Sequence, residues 1–155
     1  MNDLPGKEIT PVKIIGRTKP ELVTIGDNQI VPGGRWNNDT MADFVLQEGQ
    51  KDWVSIGRLA KVGCGSNTIP NKKRVRSRLS QLFMTFRKRG EFLAVDYGGD
   101  HNSAMGVKVA DIKKLEDRKN VEAKLERMRK RKEMTQQNYE QTMDLLDRMV
   151  REATG

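Results

Sequence analysis

The residues of this chain best suited to chemistry lie in one stretch, residues 71 to 90, NKKRVRSRLSQLFMTFRKRG, which holds eight Lys or Arg and no Asp or Glu. Ammonium and guanidinium groups bind phosphate oxygens, and Arg, Ser and Gln can also reach base edges in a nucleic-acid groove. At 100° per residue Val75, Leu79, Leu82, Phe83 and Phe86 fall on about one third of a helix circumference, so the spacing predicts a helix with a definite inside. Its outer face would carry Lys73, Ser77, Ser80, Gln81 and Lys88, flanked by Arg74 and Arg78 on one side and Arg76 and Arg87 on the other, with Lys72 at the start. These ten are the candidate DNA contacts.

A merely solvated face usually mixes signs, because opposite charges at i,i+4 support a helix and like charges weaken it. Residues 113 to 133 do mix them, with Glu116, Asp117, Glu122, Glu126 and Glu133 among the basic side chains, whereas 71 to 90 does not. Lys72, Lys73 and Arg74 would also stand at the helix N-terminus, where the macrodipole disfavours cations unless phosphates dock on the free N–H groups.

Other chemistries have little to work with. The single Cys64 and single His101 exclude an intramolecular disulfide and leave too few ligands for a zinc site. GCGSN lacks the Gly-Lys-Ser/Thr that completes a phosphate-binding loop, and the middle segment offers only Asp52, Glu91, Asp96 and Asp100 as carboxylates. The expectation is a protein that is not an enzyme and takes no metal or cofactor.

Charge is segregated. Residues 1 to 50 hold 5 basic and 7 acidic side chains, 51 to 110 hold 12 and 4, and 111 to 155 hold 12 and 10, so the middle segment alone matches the whole net charge of +8. A cationic field gathers nucleic acid before specific contacts form. No stretch approaches the roughly 18 apolar residues of a membrane span, and MNDLPGKEIT lacks the basic start and apolar run of a signal peptide. A cytoplasmic location is expected, with nucleoid association if the source is prokaryotic or viral, and no membrane partner.

The elements that would position the basic helix follow from turn and cap residues. Residues 1 to 37 read as an N-terminal arm or small hairpin, with β-branched runs split near Asp27 and Asn28 and prolines at 5, 11, 20 and 32. NDTMADFVLQEG predicts a helix capped by Asn38, Asp39 or Thr40, burying Met41, Phe44 and Val45 and ending at Gly49. A second helix is expected in DWVSIGRLAKVG, capped by Ser55, with Ile56, Leu59 and Ala60 inward and Gly63 as the stop. CGSNTIPN reads as the turn before the basic helix. EFLAVDY and AMGVKVA are alternating segments joined by GGDHNS, the pattern of a β-hairpin. Trp36 and Trp53 read as packing residues rather than stacking platforms, and Met84 faces outward.

In order and spacing, residues 38 to 110 resemble a winged helix-turn-helix domain, with SIGRLAK as the first helix of the helix-turn-helix, the basic stretch as its recognition helix and EFLAVDYGGDHNSAMGVKV as the wing. The resemblance is to the superfamily's layout. It implies an α+β fold and a recognition helix in the DNA major groove. The wing departs from the pattern, since Asp100 lies at its tip and no Lys or Arg stands between Glu91 and Val107.

From Asp111 to about Arg151 the chain has neither Pro nor Gly, and one long helix is expected over 111–155. A heptad through Leu125, Met128, Tyr139, Leu146 and Met149 is interrupted by Lys132, Thr135 and Thr142. Tyr139, Met143, Leu146, Met149 and Val150 share a face suited to a homodimer or a protein partner, or to folding back on the domain. The reading is a double-stranded DNA-binding protein, a small transcriptional regulator. The alternative is an interaction protein of a transcription or replication machine, with nonspecific or single-stranded DNA affinity.

Overall fold

A computed structural model describes residues 22–34, 36–98 and 103–154. Among them the chain forms six helices and two small antiparallel sheets, an α+β fold. The N-terminal hairpin pairs β1 (Val23–Ile25) with β2 (Asn28–Ile30) around Gly26 and Asp27, about where the sequence places a turn. Gln47 on the first helix clamps it, donating to Thr24 O at 2.7 Å and accepting from Gly26 N at 2.8 Å.

That first helix, α1 (Asn38–Glu48), buries Met41, Ala42, Phe44 and Val45 and ends on Gly49. Its cap is Asn37, not Asn38, Asp39 or Thr40, because Asn37 Oδ1 already accepts from Asp39 N and Thr40 N. Next come β3 (Val54–Ser55) and α2 (Ile56–Cys64), with Ser55 accepting from Arg58 N as its cap. Ile56, Leu59 and Ala60 are buried as expected, but the stop is Gly65, which takes the left-handed conformation at φ 96°. Gly63 stays inside the helix with the indole of Trp36 over it.

The basic stretch is not one helix. It forms α3 (Ile69–Ser77) and α4 (Leu79–Lys88), separated at Arg78. At the break the Ser77 hydroxyl donates to Arg74 O at 2.8 Å, a local bond of the kind that bends helices, and like charges at i,i+4 (Lys72 and Arg76, Arg74 and Arg78) weaken continuity. The expected inside survives the break, for Val75, Leu79, Leu82, Phe83 and Phe86 are all buried.

Strands β4 (Leu93–Asp96) and β5 (Gly106–Val109) pair antiparallel, and β3 adds to β5, giving the order β3-β5-β4. The wing tip, including Asp100 and His101, lies outside the described residues. The free edge of β4 is covered by α5 (Leu115–Lys130), whose Asn120 side chain accepts from Val95 N and donates to Val95 O, both at 2.8 Å. One amide thereby takes the place of a neighbouring strand at that edge.

The expected long C-terminal helix is two. After α5 the chain turns at Lys132, φ 58°, and resumes as α6 (Gln136–Thr154). Lys132 N donates to Arg129 O and Glu133 N to Met128 O, the two bonds of a Schellman motif with lysine in the position glycine usually takes. Thr135 then caps α6 through Asn138 N at 3.1 Å. Val121, Leu125 and Met128 of α5 and Leu146 of α6 join the same core as α1 to α4, so one hydrophobic cluster runs from Val23 to Leu146. No helix among the described residues is long and apolar enough to cross a membrane.

Candidate nucleic-acid interface

Between Asp52 and Glu91 the chain has no acidic residue and ten basic ones. The fold uses some of these internally. Arg89 pairs with Asp43 and, at 3.1 Å, with Asp39, tying the end of α4 back to α1; those carboxylates raise its affinity for the proton. Of the other nine, Arg58 and Lys61 lie on α2, Lys72, Lys73, Arg74 and Arg76 on α3, Arg78 at the break, and Arg87 and Lys88 on α4.

On α3, Lys73, Arg74 and Ser77 are exposed, as is Arg78 at its C-terminal cap, and Lys72 and Arg76 are half-buried. Thr68 caps the helix, Pro70 stands in its first turn, and α2 packs against it across the turn at Gly65. Asn71 is buried and holds that turn, its Nδ2 donating to Ser66 O at 3.1 Å and Ser66 Oγ at 3.0 Å while its Oδ1 accepts from Arg74 at 3.0 Å. Arg78 lies over the Trp36 ring at 5.9 Å, and Trp36 donates to Asn38 Oδ1 at 2.8 Å. Trp36 is thus a packing residue, as expected. Trp53 is 40% exposed, with Lys108 Nζ 4.9 Å from its ring centre, and departs from that expectation.

The true start of α3 moves its cations away from the N-terminus. Because α3 begins at Ile69, Arg74 and Arg76 stand in its last turn, where the helix dipole favours cations. Pro70 has no N–H, and Asn71 N is taken by Thr68 Oγ1 at 3.4 Å, so little of the N-terminus is left for a phosphate. What sets α3 apart is its exposed side chains, not its end.

The α4 half of the predicted face is bracketed. Ser80 Oγ donates to Glu133 at 2.9 Å, and Asn38 Nδ2 donates to Gln81 Oε1 at 3.5 Å. Asn38, Ser80, Gln81, Met84, Thr85, Lys88 and Glu133 line a groove of about 280 Å³. Met84 is half-buried there rather than fully outward, and Lys88 is exposed at its rim. Arg87 is half-buried, and its Nε has no hydrogen-bond partner among the described residues. Of the ten candidates, Lys73, Arg74, Ser77, Arg78, Gln81 and Lys88 are exposed and Lys72, Arg76, Ser80 and Arg87 half-buried, with Ser80, Gln81 and Arg76 bonded to other parts of the fold.

A second cationic group includes Arg127 and Arg131 of ERMRKRK, a stretch the sequence offers either for nonspecific phosphate contacts or as a solvated turn; sequence reasoning missed Lys124 and the way the group meets α3. Lys124, Arg127 and Arg131 fall at i, i+3 and i+7 along and just past α5, a spacing that puts them on one side. With Arg76 and Tyr97 they line a cleft beside α3. The signal was present as the period of the basic residues in KLERMRKR.

Among the described residues no group of His, Cys, Asp and Glu could hold a metal ion. Comparison of the chain with protein-family models, curated proteins and solved structures finds no match.

Proposed function

We propose that the chain is a double-stranded DNA-binding protein, a small transcriptional regulator of winged helix-turn-helix layout, in which α2 and α3 form the helix-turn-helix and β4 and β5 the wing. The element order α1, β3, α2, α3 with α4, β4, β5 and the strand order β3-β5-β4 support that layout. The observation that carries the reading is the outer face of α3, where Lys73, Arg74, Ser77 and Arg78 are exposed on a segment free of acidic residues. Arginines at such spacing can span to phosphates or guanine edges while a short serine lets the helix approach the bases.

A second reading has its own support. Ser80 and Gln81 are engaged by Glu133 and Asn38, which leaves Ser77 as the one short polar side chain of the expected set that is not tied to another element. A docking protein of a transcription or replication machine needs no more than nonspecific DNA affinity, and such a reduced face suits it.

Selection from a duplex library at two salt concentrations separates the two. For the regulator one motif is enriched, Ser77→Ala alters base preference, and Lys73→Ala lowers affinity evenly for all duplexes. Absence of any enriched motif, with the two variants behaving alike, would favour the docking protein.

A further inference from the structure

The cleft between α3, the β4–β5 hairpin and α5 has a volume of about 60 Å³. Clefts for drug-sized ligands measure roughly 300–1,000 Å³, so this one admits a single small group and not a base or a sugar. Arg76, Lys124, Arg127 and Arg131 converge on it from α3, α5 and the turn after α5.

Lys124 is the least expected of the four. It is 5% exposed, yet its Nζ meets only neutral oxygens, Tyr97 Oη at 3.1 Å and Ser80 Oγ at 3.5 Å, and it forms no ion pair among the described residues. A buried ammonium without a counter-ion is costly, and the cost falls if an anion occupies the space in front of it. Arg76 donates through Nε to Ala104 O at 3.0 Å, which fixes the guanidinium and leaves its Nη fork without a partner among the described residues. Arg127 stacks on the Tyr97 ring at 4.3 Å, an arrangement that pre-orders a planar guanidinium. Arg131 is exposed at the rim.

We propose that this cleft is a binding site for one phosphate group, gripped by Arg76, Lys124, Arg127 and Arg131. Among the described residues Glu133 is the one acid lining it, with its carboxylate accepting from Ser80 Oγ at 2.9 Å. Its negative charge beside the cleft competes with the phosphate for these cations. The phosphate comes from a nucleic-acid backbone or from solution as the free ion. Only the first source rests on the DNA reading above.

The test follows the Lys124 side-chain NMR resonances of the full chain during titration with inorganic phosphate and, separately, with a short duplex. Arg131→Gln and Glu133→Gln, both at exposed positions, serve as variants, with the amide spectrum as the check on folding. The proposal expects saturable movement of Lys124, weakened about threefold or more by Arg131→Gln and tightened by Glu133→Gln. Movement with the duplex assigns the backbone source; movement with phosphate alone assigns the free ion, whether or not the duplex binds elsewhere. Lys124 resonances that stay put with both, or that drift without saturating and alike in wild type and variants, overturn the site. Duplex binding that leaves Lys124 unmoved, with phosphate equally without effect, overturns the site while sparing the DNA reading.

Discussion

Gly63 has no room for a side chain. A Cβ there would lie 2.4 Å from Cε3 of Trp36, the residue on which Arg78 stacks. Gly63→Ala is expected to destabilise the protein by about 1–3 kcal/mol through overpacking. A lower urea midpoint, with altered Trp36 fluorescence in a Trp53→Phe background, checks it. At this scale the open half of the site was legible. The helical spacing of Val75, Leu79, Leu82, Phe83 and Phe86 leaves Lys73, Arg74, Ser77 and Arg78 outward, and they are exposed. The engagement of Ser80 and Gln81 was not legible, because their partners Glu133 and Asn38 lie 53 and 43 residues away in sequence and local periodicity carries no information on them.

Among the elements, those with side-chain caps and glycine stops were readable, α1 and α2 to within a residue or two. The break between α5 and α6 was hidden because a lysine occupies the left-handed position, although Thr135 and Thr142, which interrupt the heptad, respectively cap α6 and sit buried in it. Lys132→Gly should relieve that conformation and raise stability by up to about 1 kcal/mol, read as a higher urea midpoint. The α5–α6 pair is also clasped by Glu126, which accepts from Arg129 and, at 3.0 Å, from the Tyr139 hydroxyl. Arg129 first and Tyr139 second hold the Glu126 carboxyl below the usual carboxylate value. A depressed folded-state value contributes stability that is complete above the unfolded value and is lost as pH falls through the folded one. Burial pushes Glu91 the opposite way, so the clasp is best read as a difference. The gap in urea midpoint between wild type and Glu126→Gln should close as pH falls from about 6 to about 3; a gap that stays constant would remove the clasp's role.

Across the whole molecule, the segregated charge was plain from the sequence, and its placement needed the fold. The N-terminal hairpin, the central domain and the C-terminal helices share one core. Tyr139, Met143, Leu146, Met149 and Val150, the face expected from the sequence to meet a second copy or a protein partner, are buried or half-buried, with α5 as the neighbouring element. In the proposed function the outer face of α3 meets the phosphates of a duplex. That contact is tested most directly by the slope of log affinity against log salt for wild type, Lys73→Ala and, as a control, Lys51→Ala, since Lys51 is exposed and stands in the loop before β3 rather than on α3. Each phosphate contact contributes about 0.9 to that slope. Lys73→Ala should make the slope shallower by about one contact, and Lys51→Ala should leave it unchanged. Equal slopes for all three proteins would contradict that contact.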